Sequence, residues 1–195
     1  MSLKEKTDEE LVELSKKDDS KAFEELMGRY VIRIFNFSRQ YAKNIEDAED
    51  IAQDTFFKAW KYIRRFKKDK RFKTWLFTIA RNTALDHIRK KKISLFSEFD
   101  NTEQDISFSE TIESSEPLPS ELFEKDENIN IIKELLQTLH PDHRSVIMLH
   151  YEQEMTFEEI AEVMEKPMNT VKSWHRRALG QLNTIIRTKM PHIHV

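Results

Sequence analysis

The side chains best placed to do chemistry lie between residues 168 and 187, where Thr170, Lys172, Ser173, Arg176 and Arg177 recur at helical spacing around Trp174. Val171, Trp174 or His175, Ala178 and Leu182 trace an apolar face, which leaves the hydroxyls and cations on exposed or flanking faces. The chemistry on offer is recognition rather than bond making. Short polar groups near a helix start reach base edges in a duplex groove, while Lys and Arg neutralise phosphates and supply most of the salt-dependent affinity. The plainer alternative is a helical hairpin with a solvated basic face.

A second set occupies residues 66–92, FKKDKRFKTWLFTIARNTALDHIRKKK, in which aromatics are interleaved with cations. Positive charge gathers a nucleic-acid backbone and aromatic faces stack on unpaired bases, a combination suited to single strands. Phe72, Trp75 and Phe77 could instead be core residues, and for Phe77 and Ile79 burial is expected because one face of this helix must be covered. In the loop at residues 67–73 the clustered Lys67, Lys68, Lys70, Arg71 and Lys73 repel one another and gain little unless an anion is near, so binding is expected there.

Other chemistries find little support. The chain has no cysteine, which excludes disulfides and thiol catalysis. His140 with His143, and His192 with His194, have spacings a metal could use, yet no cysteine accompanies them and the second pair lies near the chain end; no metal site and no cofactor are expected. Only two glycines are present, so there is neither a phosphate-binding glycine loop nor an argument for a Ser-His-Asp constellation, and the chain is expected not to be an enzyme. No apolar run approaches a membrane span or a signal-peptide core, so no membrane insertion and a cytoplasmic location are expected.

The elements that must position these residues are helical. Scarce glycine and few strand-like alternations favour an all-α chain, with helices predicted over residues 8–17, 21–43, 46–65, 74–92, 120–139, 142–152, 157–165 and 168–187. Thr7 with Glu10 and Thr156 with Glu159 form capping boxes, and Pro167 places a turn between the last two helices because it is tolerated in a first helical turn but not in an interior one. Ala48, Ile51, Ala52, Thr55, Phe56, Ala59 and Ile63 make an apolar stripe that buries one side of the third helix and leaves its other side for partners. Residues 93–119 are rich in Ser, Glu and Asp, contain Pro117 and Pro119, and bury too little apolar surface to offset chain entropy. Two all-helical domains, residues 1–92 and 120–195, therefore flank a flexible acidic linker at 93–119, whose scattered Leu95, Phe96, Phe99, Ile106 and Phe108 could fold onto a partner.

Charge follows the same division. The net charge is only −3, but residues 58–92 hold fourteen Lys or Arg against two acids, residues 93–128 hold eleven acids against Lys125, and residues 168–195 hold five basic residues and no acid. Two basic blocks around an acidic segment suggest binding surfaces rather than a uniform solvated shell.

Two blocks in order, NIEDAEDIAQDTFFKAWKYIRRF with FKTWLFTIARNTALDHIRKKK, and then LHPDHRSVIMLHYEQEMTFEEIAEVMEKPMNTVKSWHRRAL, resemble bacterial RNA polymerase sigma factors of the compact extracytoplasmic-function type. The resemblance covers nearly the whole chain. It implies a domain that binds core RNA polymerase and melts the −10 promoter element, a linker threaded through the polymerase cleft and displaced by growing RNA, and a helix-turn-helix domain that reads the −35 element as duplex. Asp50, Gln53 and Asp54 match polymerase-binding positions and would meet the clamp helices of the large subunit. Lys67, Lys70, Arg71 and Phe72 match the loop that holds an extruded −10 base, with Lys73 and Trp75 adjoining it, and Asn82, Asp86 and Arg89 match the helix lining that site. Lys172, Ser173, Arg176 and Arg177 match −35-contacting positions, with Thr170 close to a phosphate.

Three departures matter. Thr78 and Ile79 stand where primary sigma factors carry a pair of tryptophans that wedge the duplex open, Trp174 stands where the family commonly has Arg, and the usual turn glycine is missing near Glu165 and Lys166, so a turn of different type is expected. The family also implies an anti-sigma factor covering the Asp50 face and the basic helix. Two rivals differ in kind: a helix-turn-helix regulator that binds duplex DNA without acting as a polymerase subunit, and a protein-docking adaptor with no use for Lys172, Arg176 and Arg177.

Overall fold

A computed structural model describes residues 2–98 and 135–189 of the 195-residue chain. These residues form helices and connecting turns in two compact units, one N-terminal and one C-terminal. The expected linker beyond residue 98, most of the helix expected at 120–139, and the His192–His194 pair lie outside the described residues.

The N-terminal unit contains α1 (Asp8–Ser15), α2 (Ser20–Ser38), α3 (Ile45–Tyr62) and α4 (Phe72–Glu98), with 3-10 turns at Leu3–Glu5 and Ile63–Arg65. The first three helices each start on a side chain that satisfies otherwise orphaned amides. Thr7 accepts from the Glu10 amide at 3.2 Å while the Glu10 carboxylate accepts from the Thr7 amide at 2.8 Å. Asp19 accepts from Ala22 at 3.2 Å, and Asn44 from Asp47 at 2.7 Å. Helix α2 stops at Ser38, short of the predicted residue 43, because residues 39–42 close in tight turns before Asn44 restarts the chain.

Helix α4 is longer than the predicted span of residues 74–92. It begins at Phe72 rather than Thr74 and runs to Glu98, six residues past Lys92, since no proline or glycine stands in its path to break it. Every member of the predicted α3 stripe is buried, from Ala48 through Ile63. Phe37 of α2 meets Phe77 of α4 edge-on at 5.2 Å, and Leu26, Ile34, Ile51 and Leu76 complete a core with almost no exposed surface. Arg29 ties down the amino-terminal segment by donating to the Asp8 carboxylate at 2.9 Å and to the carbonyls of Lys6 and Lys4 at 2.9 and 3.1 Å. The Tyr30 hydroxyl donates to the same carboxylate, and burial with that contact holds the phenol well above its usual range.

The C-terminal unit contains α5 (Pro141–Tyr151), α6 (Phe157–Met164) and α7 (Met168–Lys189). Leu139, Ile147 and Ala178 form a buried cluster with Leu136 and Leu182 packed on it. The predicted capping box starts α6, Thr156 and Glu159 exchanging bonds of 2.8 and 3.2 Å. The turn that follows is not of a different type. Glu165 itself takes the left-handed conformation at φ 51° and ψ 43°, and the Lys166 amide reaches back to the Ala161 carbonyl at 3.1 Å, the backbone pattern that glycine normally serves. Pro167 then opens α7, its carbonyl accepting from Thr170 and Val171 at 2.9 and 3.2 Å.

Candidate nucleic-acid interface

Helix α7 divides its residues more sharply than its apolar spacing required. Val171 and Ala178 are fully buried, and both Trp174 and His175 turn partly inward, although the pattern offered them as alternatives. The Trp174 ring lies 6.0 Å from His143 of α5, while His175 packs against Tyr151, His150 and Phe157. Lys172, Arg176 and Arg177 remain exposed, with Thr170 and Ser173 half-buried beside them. Lys172 sets its ammonium 5.8 Å from the Phe157 ring, a cation–π contact that steadies its stem near the start of the helix. No acid stands between residues 168 and 189, so the exposed side chains of this helix carry positive charge without a compensating carboxylate on the same helix.

In the N-terminal unit the cationic loop is closed by aromatic rings. Phe66 and Phe72 stand 6.1 Å apart, Trp75 lies 5.3 Å from the first and 5.8 Å from the second, and Tyr30 covers Phe72 at 5.7 Å. Between these anchors Lys67, Lys68, Lys70 and Arg71 are exposed, and Lys73 is half-buried. Of the two readings open for Phe72, stacking on bases or packing in the core, the structure shows the second. Its ring is 1% exposed, because a large apolar side chain between Tyr30, Phe66 and Trp75 is better buried than offered to solvent. Trp75, half-buried, keeps part of its ring accessible.

Asn82, Asp86 and Arg89 share one face of α4 at i, i+4 and i+7, next to α3. Arg89 bonds Asp86 at 2.7 Å, and Lys58 of α3 lies 3.8 Å from the same carboxylate and donates to Thr83 at 3.0 Å. The face thus mixes a carboxylate acceptor with cations. Phe77 is buried as expected and Ile79 half-buried, while the Thr78 hydroxyl turns back to the Thr74 carbonyl at 2.8 Å.

A third surface lies on α3, opposite its buried stripe. Asp50, Gln53 and Asp54 are exposed there, and Phe57 continues the same face, 64% exposed. Sequence reasoning missed Phe57, although its position one residue outside the buried stripe was the available signal. It also missed Asp47, one turn before Asp50. That carboxylate is 8% exposed and is held by Lys91 at 2.8 Å and His87 at 3.3 Å, both from α4. Burial alone would raise its pKa, but the bonds from Lys91 and then His87 outweigh it, and the group sits below the ordinary carboxylate value.

Comparison with known proteins adds independent information. A family model described as Sigma-70 region 2 matches residues 26–93, and one described as Sigma-70, region 4 matches residues 129–182. The chain is 33% identical over 174 residues to the ECF RNA polymerase sigma factor SigW of Bacillus subtilis, covering 88% of this chain and 92% of that protein. It is 31% identical to the ECF RNA polymerase sigma-E factor of Salmonella typhimurium, covering 86% and 87%. Among solved structures it resembles the sigma factor RpoE bound to the anti-sigma factor NepR from Bartonella quintana, with TM-score 0.67, 24% identity, and 86% and 98% coverage. It also resembles CnrH bound to the cytosolic domain of CnrY, with TM-score 0.65, 22% identity, and 93% and 97% coverage. At these identities the two structural likenesses speak for the fold.

Proposed function

The chain belongs to the sigma-70 family, in its extracytoplasmic-function branch, and directs promoter-specific transcription initiation; from that premise we propose how its surfaces share the work. The exposed α3 face of Asp50, Gln53 and Asp54 docks on the clamp helices of the large subunit of core RNA polymerase, with Asp47 outside the contact as an internal tie between α3 and α4. Chemistry on the nucleotides belongs to the polymerase; this chain positions promoter DNA.

The cationic loop and the α4 face act together on the −10 element. Lys67, Lys70 and Arg71 gather the backbone, Trp75 offers a partly open ring, and Asn82, Asp86 and Arg89 present hydrogen-bonding groups to an unpaired base. Extruding a base costs on the order of a few kcal/mol, which a preformed pocket offsets better than a mobile one. The Phe66–Phe72–Trp75 cluster supplies that rigidity, so Phe72 shapes the loop instead of stacking on the base. In the C-terminal unit Lys172, Ser173, Arg176 and Arg177 read and hold the −35 duplex, with Thr170 near a phosphate and Trp174 turned to the packing side. An anti-sigma factor covering the Asp50 face and the α7 face would silence both grips.

The observation that carries this assignment is the separation of charge by surface: an exposed acidic face on α3, and exposed cations on the loop and on α7. Its test is initiation from a promoter library by the protein with purified core polymerase. Asp54→Lys is expected to abolish core binding, whereas Arg176→Ala should leave core binding intact and reduce discrimination at one −35 base pair, by about 1–3 kcal/mol. Duplex binding without polymerase, and no initiation with it, would favour the simpler regulator.

A further inference from the structure

Three histidines crowd the seam between α5 and the DNA-reading helix α7, a feature that promoter recognition does not use. His143 and His150 stand seven residues apart on α5, near its two ends, and so share one face. His143 meets Trp174, with ring centroids 6.0 Å apart. His150 meets His175 edge to face at 5.2 Å and stacks on Phe157 of α6 at 4.8 Å and 14°. His175 in turn stacks on Tyr151 at 5.7 Å, its Nε2 lying 3.3 Å from the Tyr151 hydroxyl. The Nδ1 of His150 is 3.0 Å from the Met155 carbonyl, so that nitrogen carries the proton and donates.

The surroundings suit neutral rings and oppose charged ones. His175 faces His150 and Tyr151 from α5 and Phe157 from α6, with Lys172 of its own helix against that same phenyl ring. His143 faces Trp174 and the cation of Arg177 from α7, lies beside His140, and has Gln181 as a hydrogen-bond partner; that bond and the Asp142 carboxylate act on it in the opposite sense. Burial first, and then positive neighbours, hold both His143 and His175 below the ordinary histidine value.

We propose that the α5–α7 seam is an acid-sensitive clasp on the recognition helix: protonation of His143 and His175 loosens the seam and weakens discrimination of the −35 duplex. A charged His175 is poorly accommodated among the His150, Tyr151 and Phe157 rings, and a charged His143 is repelled by Arg177. The segment so displaced carries Lys172, Ser173 and Arg176. Histidine clusters of this kind switch interfaces between neutral and mildly acidic pH. His150 and His175 are thus positioning residues, acting on DNA through the helix that they hold. The proposal rests on the assignment of α7 to the −35 element.

Affinity alone would mislead as a readout, because added positive charge strengthens binding to any duplex while a displaced helix loses selectivity. The test is the ratio of initiation from promoters with a matched and a scrambled −35 element, using the full chain with core polymerase at about pH 7.5 and about pH 5.5. The wild-type ratio is expected to fall by at least about threefold on acidification. The double variant His150→Phe/His175→Gln, which keeps a ring on Phe157 and a polar group near Tyr151, should show a smaller fall. An equal fall in both proteins overturns the clasp.

A second measurement stands apart from transcription. Imidazole NMR titration of the full wild-type chain should show His143 and His175 protonating below the ordinary value, with α7 backbone resonances moving over the same pH range. Ordinary, independent titrations with unmoved α7 resonances overturn the clasp even if the variant fails to fold. A holoenzyme with no −35 discrimination at any pH contradicts the assignment of α7, and the titration then decides the clasp by itself.

Discussion

Asp47 behaves differently from the acids beside it. Asp50 and Asp54 project from α3, whereas Asp47 closes an ion pair with Lys91 and a contact with His87, fastening α3 to the second half of α4. Lys91→Met should lower the stability of the N-terminal unit by about 1–2 kcal/mol in urea unfolding, since a largely buried carboxylate loses its main donor but keeps His87. The sign with pH is fixed by direction. The folded carboxyl lies below its ordinary value of about 3.9, so the stability it contributes is full above that pH and is lost as pH falls through the folded value. Residue identity alone could not separate Asp47 from Asp50, because both are acids in the first two turns of one helix. Phe72 shows the converse: an aromatic among cations looks like a stacking platform until tertiary contacts from Tyr30 and Phe66 fill the space around it.

At the level of elements, helix starts and buried stripes were legible because their signals are local. Both capping boxes form with the expected partners, and the α3 stripe is buried at every predicted position. Helix ends were less legible. Residues 39–43 have no breaker yet turn, while residues 93–98, which open a stretch rich in Ser, Glu and Asp but themselves hold Ile93, Leu95 and Phe96 and no proline or glycine, stay helical. Turn chemistry was harder still, since this chain places acids where glycine is usual. Asp18, Glu154 and Glu165 all have positive φ, while Gly28 and Gly180 sit inside helices with nothing within 4 Å of an added Cβ. Gly28→Ala should therefore stabilise the N-terminal unit by about 0.5–1 kcal/mol in thermal unfolding. Glu165→Val should cost the C-terminal unit about 1–2 kcal/mol, because a β-branched residue is poorly suited to a left-handed turn, and Glu165→Asn should cost much less.

Across the whole molecule, the two units should part company in acid. His143 and His175 are held below the ordinary histidine value of about 6.5, so the unfolded chain binds protons first and the C-terminal unit loses stability as pH falls through the range below that value. The Asp47 contribution survives until far lower pH. Thermal unfolding read by Trp174 fluorescence should thus move to lower temperature on mild acidification, while that read by Trp60 and Trp75 of the N-terminal unit does not, in single-tryptophan variants. Net charge gave no hint of this organisation. A chain at −3 became interpretable only once its charges were assigned to surfaces: acids on α3, cations on the loop and on α7.

The most direct test of that division is a single assay run on three proteins: initiation by reconstituted holoenzyme with permanganate mapping of unpaired thymines. Wild type should initiate and open the −10 region. Asp54→Lys should lose both with its failure to bind core polymerase, and a Lys67→Ala/Lys70→Ala/Arg71→Ala variant should bind core normally but open the −10 region poorly. Normal −10 opening by the loop variant, or normal core binding by Asp54→Lys, would contradict the assignment of these surfaces.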